Sequence, residues 1–444
     1  MTRVAAVLLL LLILSNAVPA GAAPSAATPP RQPSALAPEF MGMVIRDPWY
    51  DFGTYPGLPS EPNYAFQDTM GATLAAMGVR WVRLDFHIVV PLADATVDQT
   101  QQIDAEIAKN DYFINQVAPR NNLKVLALLS FDLLQATDAH ELNSTTAENS
   151  KFGGGVNKYM HAWLTRALRI AERYRGNIAA YEVLNEQNRL PRYLPNGPVA
   201  DAIAPEITGR LLTKFYRFCK NINNSNGDQQ FCNADTKIIL GGLHPRGTGN
   251  GPVPNPSDVD YLKQIYDDPT AFGDFKKNNG YFPVDGIGYH PYPEEIRQSV
   301  KDVYVDMGMN RMRAAIEAKD PGKQFWITEV GYNVGFDVDG PKGPTPQQTA
   351  AGQIAFMRDV YGSLYARGDV ANVFWFKYED FPPATGTNAQ RWGVVQIPFT
   401  DGPCPGGACY NVNGTPALYR GSYLAYRELA GTPPNRTFLP AAAR

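Results

Sequence analysis

The chain has 444 residues, with 40 Lys and Arg against 43 Asp and Glu, for a formal net charge of −3. Hydrophobic residues make up 44% and charged residues 19% of it, a balance typical of a folded protein and far from that of a disordered one. Because there is no basic excess, the usual electrostatic signature of nucleic-acid binding is excluded, and we expect no nucleic-acid partner.

The N-terminus has the pattern of a secretory signal. Arg3 precedes the apolar run Val4–Leu14, and small residues follow it. The run is too short for the ~20 residues that a membrane-spanning helix needs. We therefore predict a signal peptide over residues 1–22, a flexible Ala/Pro/Ser leader over 23–38, and a secreted, periplasmic or cell-surface protein with no membrane segment after cleavage.

Short β-type runs alternate with longer amphipathic stretches along the rest of the chain. The predicted strands are Phe40–Arg46, Val79–Phe86, Leu123–Ser130, Ile178–Asn185, Lys237–Leu243, Gly286–His290, Phe325–Glu329 and Val373–Lys377. The predicted helices cover 64–77, 101–121, 157–175, 205–224, 257–267, 301–319, 346–367 and 416–430. Strands that alternate with helices indicate parallel pairing through helical crossovers.

Two α/β architectures have this alternation, an open doubly wound sheet and a closed barrel. The open sheet should carry a Gly-rich phosphate turn after its first strand, and residues 47–53 contain none. We therefore predict a single (β/α)8 barrel with enlarged βα loops as the one domain over 39–432, followed by a tail over 433–444. We expect it to be a monomer.

The four cysteines form two pairs that are close in sequence, Cys219/Cys232 and Cys404/Cys409. In an exported protein such pairs are most simply local disulfides. A four-cysteine zinc site is the alternative, although neither spacing is that of a C-x₂-C knuckle.

Two glutamates stand where an apolar strand meets its loop, Glu186 after the fourth strand and Glu329 after the seventh. Either one alone could be a salt-bridged loop residue. In a barrel, however, the carboxyl ends of the strands form the active-site face. A pair of carboxylates there suits glycoside hydrolysis, in which one protonates the leaving oxygen and the other attacks the anomeric carbon or activates water.

The Asn185-Glu186 dipeptide that closes strand four, with Glu329 closing strand seven, resembles clan A of the retaining (β/α)8 glycoside hydrolases, with likeness to families 5 and 39. The resemblance covers roughly Phe40 to Leu429. It implies that Glu186 is the general acid/base and Glu329 the nucleophile, and that Asn185 binds the sugar 2-hydroxyl. The acid must be protonated, so we expect either a less polar setting around Glu186 or the nearby negative charge of Glu329.

The same resemblance assigns four further residues. The His290-Pro-Tyr292 segment after strand six is similar to the clan's pair near the nucleophile, so Tyr292 would hydrogen-bond Glu329 and His290 would line the sugar site. Trp375 on strand eight matches the aromatic floor of the sugar subsite. Arg83 on strand two matches the arginine that pairs with the nucleophile.

Each accessory residue also has a purely structural interpretation. Trp375 lies in an apolar run and could belong to the core, Arg83 could form a structural bridge, and His290 and Tyr292 could be packing residues. Three more aromatic or imidazole side chains, those of His87, His244 and Trp392, are additional candidates for the site.

We expect no metal and no cofactor. The chain has five histidines and no H-E-x-x-H motif, no G-x-S-x-G elbow and no P-loop.

The paired glutamates and the resemblance to clan A together predict a secreted retaining glycoside hydrolase that acts on a carbohydrate substrate with β-linkages. A non-catalytic carbohydrate-binding barrel and a transglycosylase that remodels cell-surface polysaccharide are the alternatives.

Overall fold

The computed structural model of the chain describes residues 35–45, 64–88, 90, 92, 97–134, 142–143, 152–188, 202–224, 227, 229–245, 257–292, 308–334, 349–381, 391–401, 408–410 and 413–432. The predicted signal peptide and the tail after residue 432 lie outside these ranges. Residues Ser34–Arg444 form one compact unit. Among the described helices, none combines the length and the apolar composition that a membrane span requires.

Eight parallel strands close into a barrel in the order β1 to β8, with β8 paired to β1. The strands are β1 Met41–Val44, β2 Trp81–Asp85, β3 Lys124–Leu129, β4 Ile178–Val183, β5 Lys237–Leu243, β6 Gly286–Tyr289, β7 Phe325–Gly331 and β8 Val370–Phe376. The (β/α)8 fold predicted from the alternation is confirmed.

The helices follow the predicted order with three local differences. They are α1 Tyr64–Met77, α2 Val97–Ala108, α3 Ala118–Arg120, α4 Lys158–Arg173, α5 Pro205–Lys220, α6 Asp258–Asp267, α7 Phe272–Asn279, α8 Asn310–Glu317, α9 Ala350–Arg367 and α10 Gly421–Leu429. The stretch predicted as one helix over 101–121 is broken by a π-helical turn at Phe113–Val117. Helix α7 was not predicted, and the start of the predicted last helix is strand instead.

Small antiparallel pairs enlarge the loop between β8 and α10. Strand β9 (Val395–Gln396) pairs with β12 (Leu418–Tyr419), and β10 (Phe399–Asp401) pairs with β11 (Ala408–Tyr410). This excursion places Trp392 next to the carboxyl end of β8, because Lys377 N donates to the carbonyl of Trp392.

An apolar plug fills the barrel beneath its carboxyl-terminal mouth. It contains Val44, Trp81, Leu126, Ala180, Ile239, Trp326 and Phe374, and the indoles of Trp81 and Trp326 meet edge to face at 5.4 Å. Strand side chains alternate between the two faces of a sheet. The residue two positions after each residue of the plug therefore also points inward. Arg83, Glu182 and Thr328 are such residues, and they follow Trp81, Ala180 and Trp326.

A second, larger core lies between the barrel and its helices. The predicted Cys219–Cys232 disulfide is present there and joins the end of α5 to the segment before β5. Cys404 lies outside the described residues, so the Cys404/Cys409 pair stays a prediction.

Candidate active site

Irregular backbone at two strand ends places the glutamates that the sequence singled out. Beyond β4, Leu184 and Glu186 adopt positive φ values of 69° and 45°, a conformation uncommon for these residue types, and Glu186 N donates to the carbonyl of Gly242 at 3.0 Å. The register of β7 against β8 shifts between Ile327 and Val330. Such a shift re-aims a side chain out of strict alternation, and Glu329 lies within it.

The structure brings Glu186, Glu329 and His290 together at the mouth of the barrel. One oxygen of each carboxylate and one ring nitrogen of His290 all lie within 4.8 Å of one another. His290 is fully buried, whereas Glu186 and Glu329 keep 18% and 13% of their side-chain surface exposed. Both carboxylates are thus open to a ligand.

Arg83 is the cation beneath this pair. Its guanidinium donates to Glu182 Oε2 at 2.6 Å, to Glu329 Oε1 at 2.7 Å and to Asn185 Oδ1 at 2.9 Å. Burial alone would lower the pKa of Arg83, but Glu182 and Glu329 raise it, so the guanidinium stays charged. Because the Asn185 oxygen is occupied by Arg83, its amide NH₂ is left as the donor available to a ligand.

Tyr292 completes the surroundings of Glu329. Its hydroxyl donates to Glu329 Oε2 at 3.1 Å, and burial together with the neighbouring carboxylates raises its pKa well above the ordinary value. The phenol therefore remains a donor. Each oxygen of Glu329 accepts one hydrogen bond, which fixes the plane of the carboxylate.

A buried chain of hydrogen bonds leads from Arg83 to Glu186. Glu182 Oε1 accepts from Gly242 N at 2.9 Å and from the Thr328 hydroxyl at 2.8 Å. The Thr328 oxygen lies 2.9 Å from His290 Nε2, and His290 Nδ1 lies 3.1 Å from Glu186 Oε1. Glu182, Thr328 and His290 all have no exposed surface.

Donor and acceptor counting along this chain locates its protons. Glu182 pairs with Arg83 and can only accept, so the single hydroxyl hydrogen of Thr328 goes to Glu182. The Thr328 oxygen then accepts from His290 Nε2–H. One further proton is needed between His290 Nδ1 and Glu186 Oε1, and it sits either on the imidazole or on the carboxyl. The pair therefore shares one proton.

The charges of the site favour that proton on His290 in the absence of a ligand. Burial acts to raise the pKa of Glu186, but the imidazoles of His244 and His290 hold it well below its usual range. Burial acts to lower the pKa of His290, but Glu329 and Glu186 raise it. Of the two settings expected for Glu186, the less polar one is wrong, because two imidazoles surround the carboxylate. The other is present, since an oxygen of Glu329 lies within 4.8 Å of one of Glu186.

Trp375 does not lie in the site. It is fully buried between the barrel and its helices, 6.1 Å from the ring of Phe356 on α9. Strand alternation gives the reason, since Phe374 belongs to the interior plug and Phe376 packs against it, so the residue between them faces outward. The predicted aromatic floor at Trp375 is therefore wrong.

Trp392 and His244, which the sequence left as further candidates, both reach the mouth of the barrel. The half-buried indole of Trp392 meets Tyr292 at 6.0 Å and Phe376 at 5.5 Å. His244 Nδ1 lies 3.3 Å from Glu186 Oε1. Trp392 thus reaches the site through Tyr292, the residue that bonds Glu329, whereas Trp375 does not.

His87 belongs to a separate cluster at the ends of β2 and β3. Its Nε2 lies 3.2 Å from Asp85 Oδ2, and Asp132 offers a third ligand atom within 4.8 Å. Burial raises the pKa of Asp85 to about 6, although the neighbouring His87 acts to lower it, and the charge of Asp132 adds to the rise. Among the described residues, two groups could hold a metal ion. One is this trio, and the other is formed by Glu186, Glu329 and His290.

Sequence reasoning missed Glu182 and Thr328. The signal available for Glu182 was a carboxylate in the middle of an apolar strand, because a buried charge requires partners. Thr328 gave no comparable signal, since a threonine in a strand is ordinary. Its position two residues beyond Trp326 on the inward face follows from strand alternation once the strand is placed.

No protein-family model matches the chain, and no curated protein matches it in sequence. Solved structures of similar fold include a family 39 glycoside hydrolase from the gut symbiont Bacteroides cellulosilyticus WH2, at 16% identity and TM-score 0.48 over 90% of this chain. They also include a family 1 β-glucosidase from Thermotoga maritima, at 11% identity and TM-score 0.49, again over 90% of this chain and over 99% of that protein. The AHE enzyme from Alicyclobacillus herbarius matches at 12% identity and TM-score 0.50, over 90% and 99% of the two chains.

These likenesses concern the fold alone. The chain spans 65% of the length of the Bacteroides protein, less than two thirds of it. The closed eight-strand barrel on which the clan A resemblance depends is present.

Proposed function

We propose that the protein is a retaining glycoside hydrolase that cleaves β-linked glycans or glycosides. The observation that carries the proposal is the approach of the Glu186 and Glu329 carboxylates to within 4.8 Å. Retaining enzymes place the two groups about 5 Å apart, whereas inverting enzymes need roughly 6.5–9.5 Å to admit a water molecule.

In the first step Glu329 attacks the anomeric carbon, and the leaving oxygen takes the shared proton through Glu186. Arg83 and Tyr292 hold one oxygen of Glu329 each, so the nucleophile is oriented before the substrate arrives. The bond from the anomeric carbon to the leaving oxygen breaks as the bond to Glu329 forms. The product is a covalent glycosyl-enzyme and a free alcohol.

In the second step the same pair acts as a base. With the proton gone, the lone pair of His290 Nδ1 faces the charged Glu186 Oε1 across 3.1 Å. This repulsion is relieved when the pair takes a proton from an incoming water, whose oxygen attacks the anomeric carbon. Glu329 leaves as a carboxylate, and the shared proton is restored.

Export is part of the proposal. The apolar run after Arg3 fits a cleaved signal, and the Cys219–Cys232 disulfide fits an oxidising compartment.

A sugar bound at the site would lie against Trp392, whose ring face suits sugar C–H groups, and would receive a hydrogen bond from the Asn185 NH₂.

Azide rescue tests the role of Glu329. We expect Glu329→Ala to lose hydrolysis of aryl β-glycosides and to regain turnover with azide, giving a glycosyl azide of inverted configuration. Azide takes the space of the lost carboxylate and attacks from that side. An azide product of retained configuration would assign the nucleophile elsewhere, and Glu39→Gln, a change on the opposite end of the barrel, is the control for nonspecific damage.

A further inference from the structure

A second cavity lies outside the barrel, between α5, α7 and the loop before α4, and shares no lining residue with the glutamate site. It encloses about 190 Å³. Three cationic residues one turn apart on α5, Arg210, Lys214 and Arg217, form one of its walls. Gly154 and Asp274 line it as well.

The cations of this wall are not matched by acids. Arg210 donates to the carbonyl of Gly155 at 2.8 Å, and within the described residues no carboxylate pairs with Arg210, Lys214 or Arg217. The Nε of Arg217 is buried without a hydrogen-bond partner. Asp274 is exposed and accepts from Asn278 at 3.1 Å, and among the described residues it forms no ion pair with the three cations.

Lys214 bears the cost of burial and of its two cationic neighbours. Burial, followed by the charges of Arg217 and Arg210, lowers the pKa of the lysine. Like charges on neighbouring turns of a helix destabilise it, and half-buried cations are costly without a counter-charge. An anion in the cavity would remove both penalties.

The glycine run Gly153–Gly155 lets the main chain come close to this wall. Gly153 and Gly155 have φ values of 76° and 77°, and a Cβ at either would lie 3.2 Å from Lys214 Nζ or Arg210 Nη1. Gly154 faces open space. A side chain at Gly153 or Gly155 would press on the cations, so glycine at these two positions leaves the cavity open beside them.

We propose that this cavity binds a small tetrahedral oxyanion, phosphate or sulfate, either free or as an ester on a glycan. Arg217 and Lys214 supply the charge and the free donors, and Arg210 holds the glycine run in place. A guanidinium and an ammonium side by side suit an oxyanion with several acceptor oxygens. The site is independent of the paired glutamates.

Thermal unfolding of the full chain tests the proposal. Sodium sulfate and sodium phosphate are titrated against sodium chloride at matched ionic strength, with wild type, Lys214→Gln/Arg217→Gln and the control Lys263→Gln, which removes an exposed lysine of α6. We expect a saturable rise of Tm in wild type and in the control. In the double variant we expect affinity to fall about tenfold or more.

The double variant also reports on the unliganded protein. Since it removes mutual repulsion, its Tm without oxyanion should equal or exceed that of wild type. General exclusion of sulfate from protein surfaces would raise Tm equally in all three proteins, and such a result would overturn the proposal. An equal change of Tm with oxyanion and with chloride would overturn it as well.

A sulfated polysaccharide beside its neutral counterpart separates the two sources of the anion. Tighter binding of the sulfated polymer than of inorganic sulfate, lost in Lys214→Gln/Arg217→Gln, would assign the site to a charged glycan. Binding of inorganic sulfate alone would assign it to a free anion. Binding of neither would contradict the proposal.

Discussion

His290 has both ring nitrogens engaged, Nε2 by the Thr328 hydroxyl and Nδ1 by Glu186. Because Thr328 is committed as a donor to Glu182, the imidazole can change protonation only on the side that faces Glu186. In the proposed reaction, His290, which the resemblance placed along the sugar site, would hold the proton that Glu186 delivers. The role of the acid would then be divided between the two side chains, and a lowered pKa of Glu186 is compatible with that role.

The alkaline side of the pH–activity profile should report this proton. Glu329 and Glu186 raise the pKa of His290 above its ordinary 6.5, so the imidazolium persists to higher pH, and kcat/KM falls as the pH rises through the raised value. Thr328→Val removes the acceptor for Nε2–H and should move that fall to lower pH, with kcat/KM reduced about tenfold or more. Glu182 Oε1 lies 4.0 Å from Nε2, too far to replace the hydroxyl.

Thr328→Ser is the matched control, because it keeps the hydroxyl and removes a methyl group. It should retain the wild-type profile. A profile that does not change in Thr328→Val, measured on an aryl β-glycoside from pH 4 to 10, would show that His290 does not hold the catalytic proton.

Strand β8 shows how alternation decides function at the scale of an element. Phe374 and Phe376 face the barrel interior, so Trp375 between them enters the outer core. The resemblance assigned the sugar platform to Trp375 from an apolar run, and a run of apolar residues does not show which of them face the barrel interior. The structure fixes the phase, and the neighbouring loop brings Trp392 to the site.

The two tryptophans should therefore respond differently to substitution. We expect Trp392→Ala to raise KM about tenfold, since it removes the aromatic surface beside Tyr292 and leaves the glutamates in place. Trp375→Phe should lower Tm and leave KM unchanged, because it opens a cavity in the outer core. The reverse pattern, in steady-state kinetics and thermal unfolding of both variants, would restore the original assignment.

Strand β5 approaches the site through its glycines. A Cβ at Gly242 would lie 2.0 Å from His290 Nε2 and 2.6 Å from Thr328 Oγ1. Gly242→Ala should therefore displace His290 and reduce kcat by about 10²-fold.

Gly209→Ala on α5 is the control for this change, because the nearest atom to its Cβ lies 3.5 Å away. It should keep full activity and stabilise the protein by about 0.5–1 kcal/mol. Equal activity of the two variants would mean that the crowding around Gly242 is relieved without moving His290.

On the scale of the whole molecule, the sequence predicted the barrel, all eight strands and the strand ends that carry Glu186 and Glu329, because hydrophobic periodicity reports the order of elements well. It missed α7 and the small strands after β8, where short segments give little periodicity. It could not predict the chain from Glu182 through Thr328 to His290, because those contacts join three strands and depend on the phase and register of each.

The Cys219–Cys232 disulfide should contribute to the stability of the whole domain. The bond joins residues that are 13 apart in sequence. Closing a loop of about that size stabilises a protein by about 3 kcal/mol in the chain-entropy account. Replacing both cysteines by alanine should lower the denaturant midpoint measured under oxidising conditions, with kcat unchanged. An unchanged midpoint would mean that packing around α5 carries that stability.

The most direct test of the proposed activity is a hydrolysis screen of the purified mature protein, with Glu329→Gln in parallel, on aryl β-glycosides and a panel of plant and microbial polysaccharides. We expect wild type to release sugar from at least one of them and the variant, which keeps the shape of the side chain and loses its charge, to release none. Equal turnover by both proteins would contradict the role of Glu329. Binding of a glycan by wild type without any hydrolysis would show a carbohydrate-binding barrel instead.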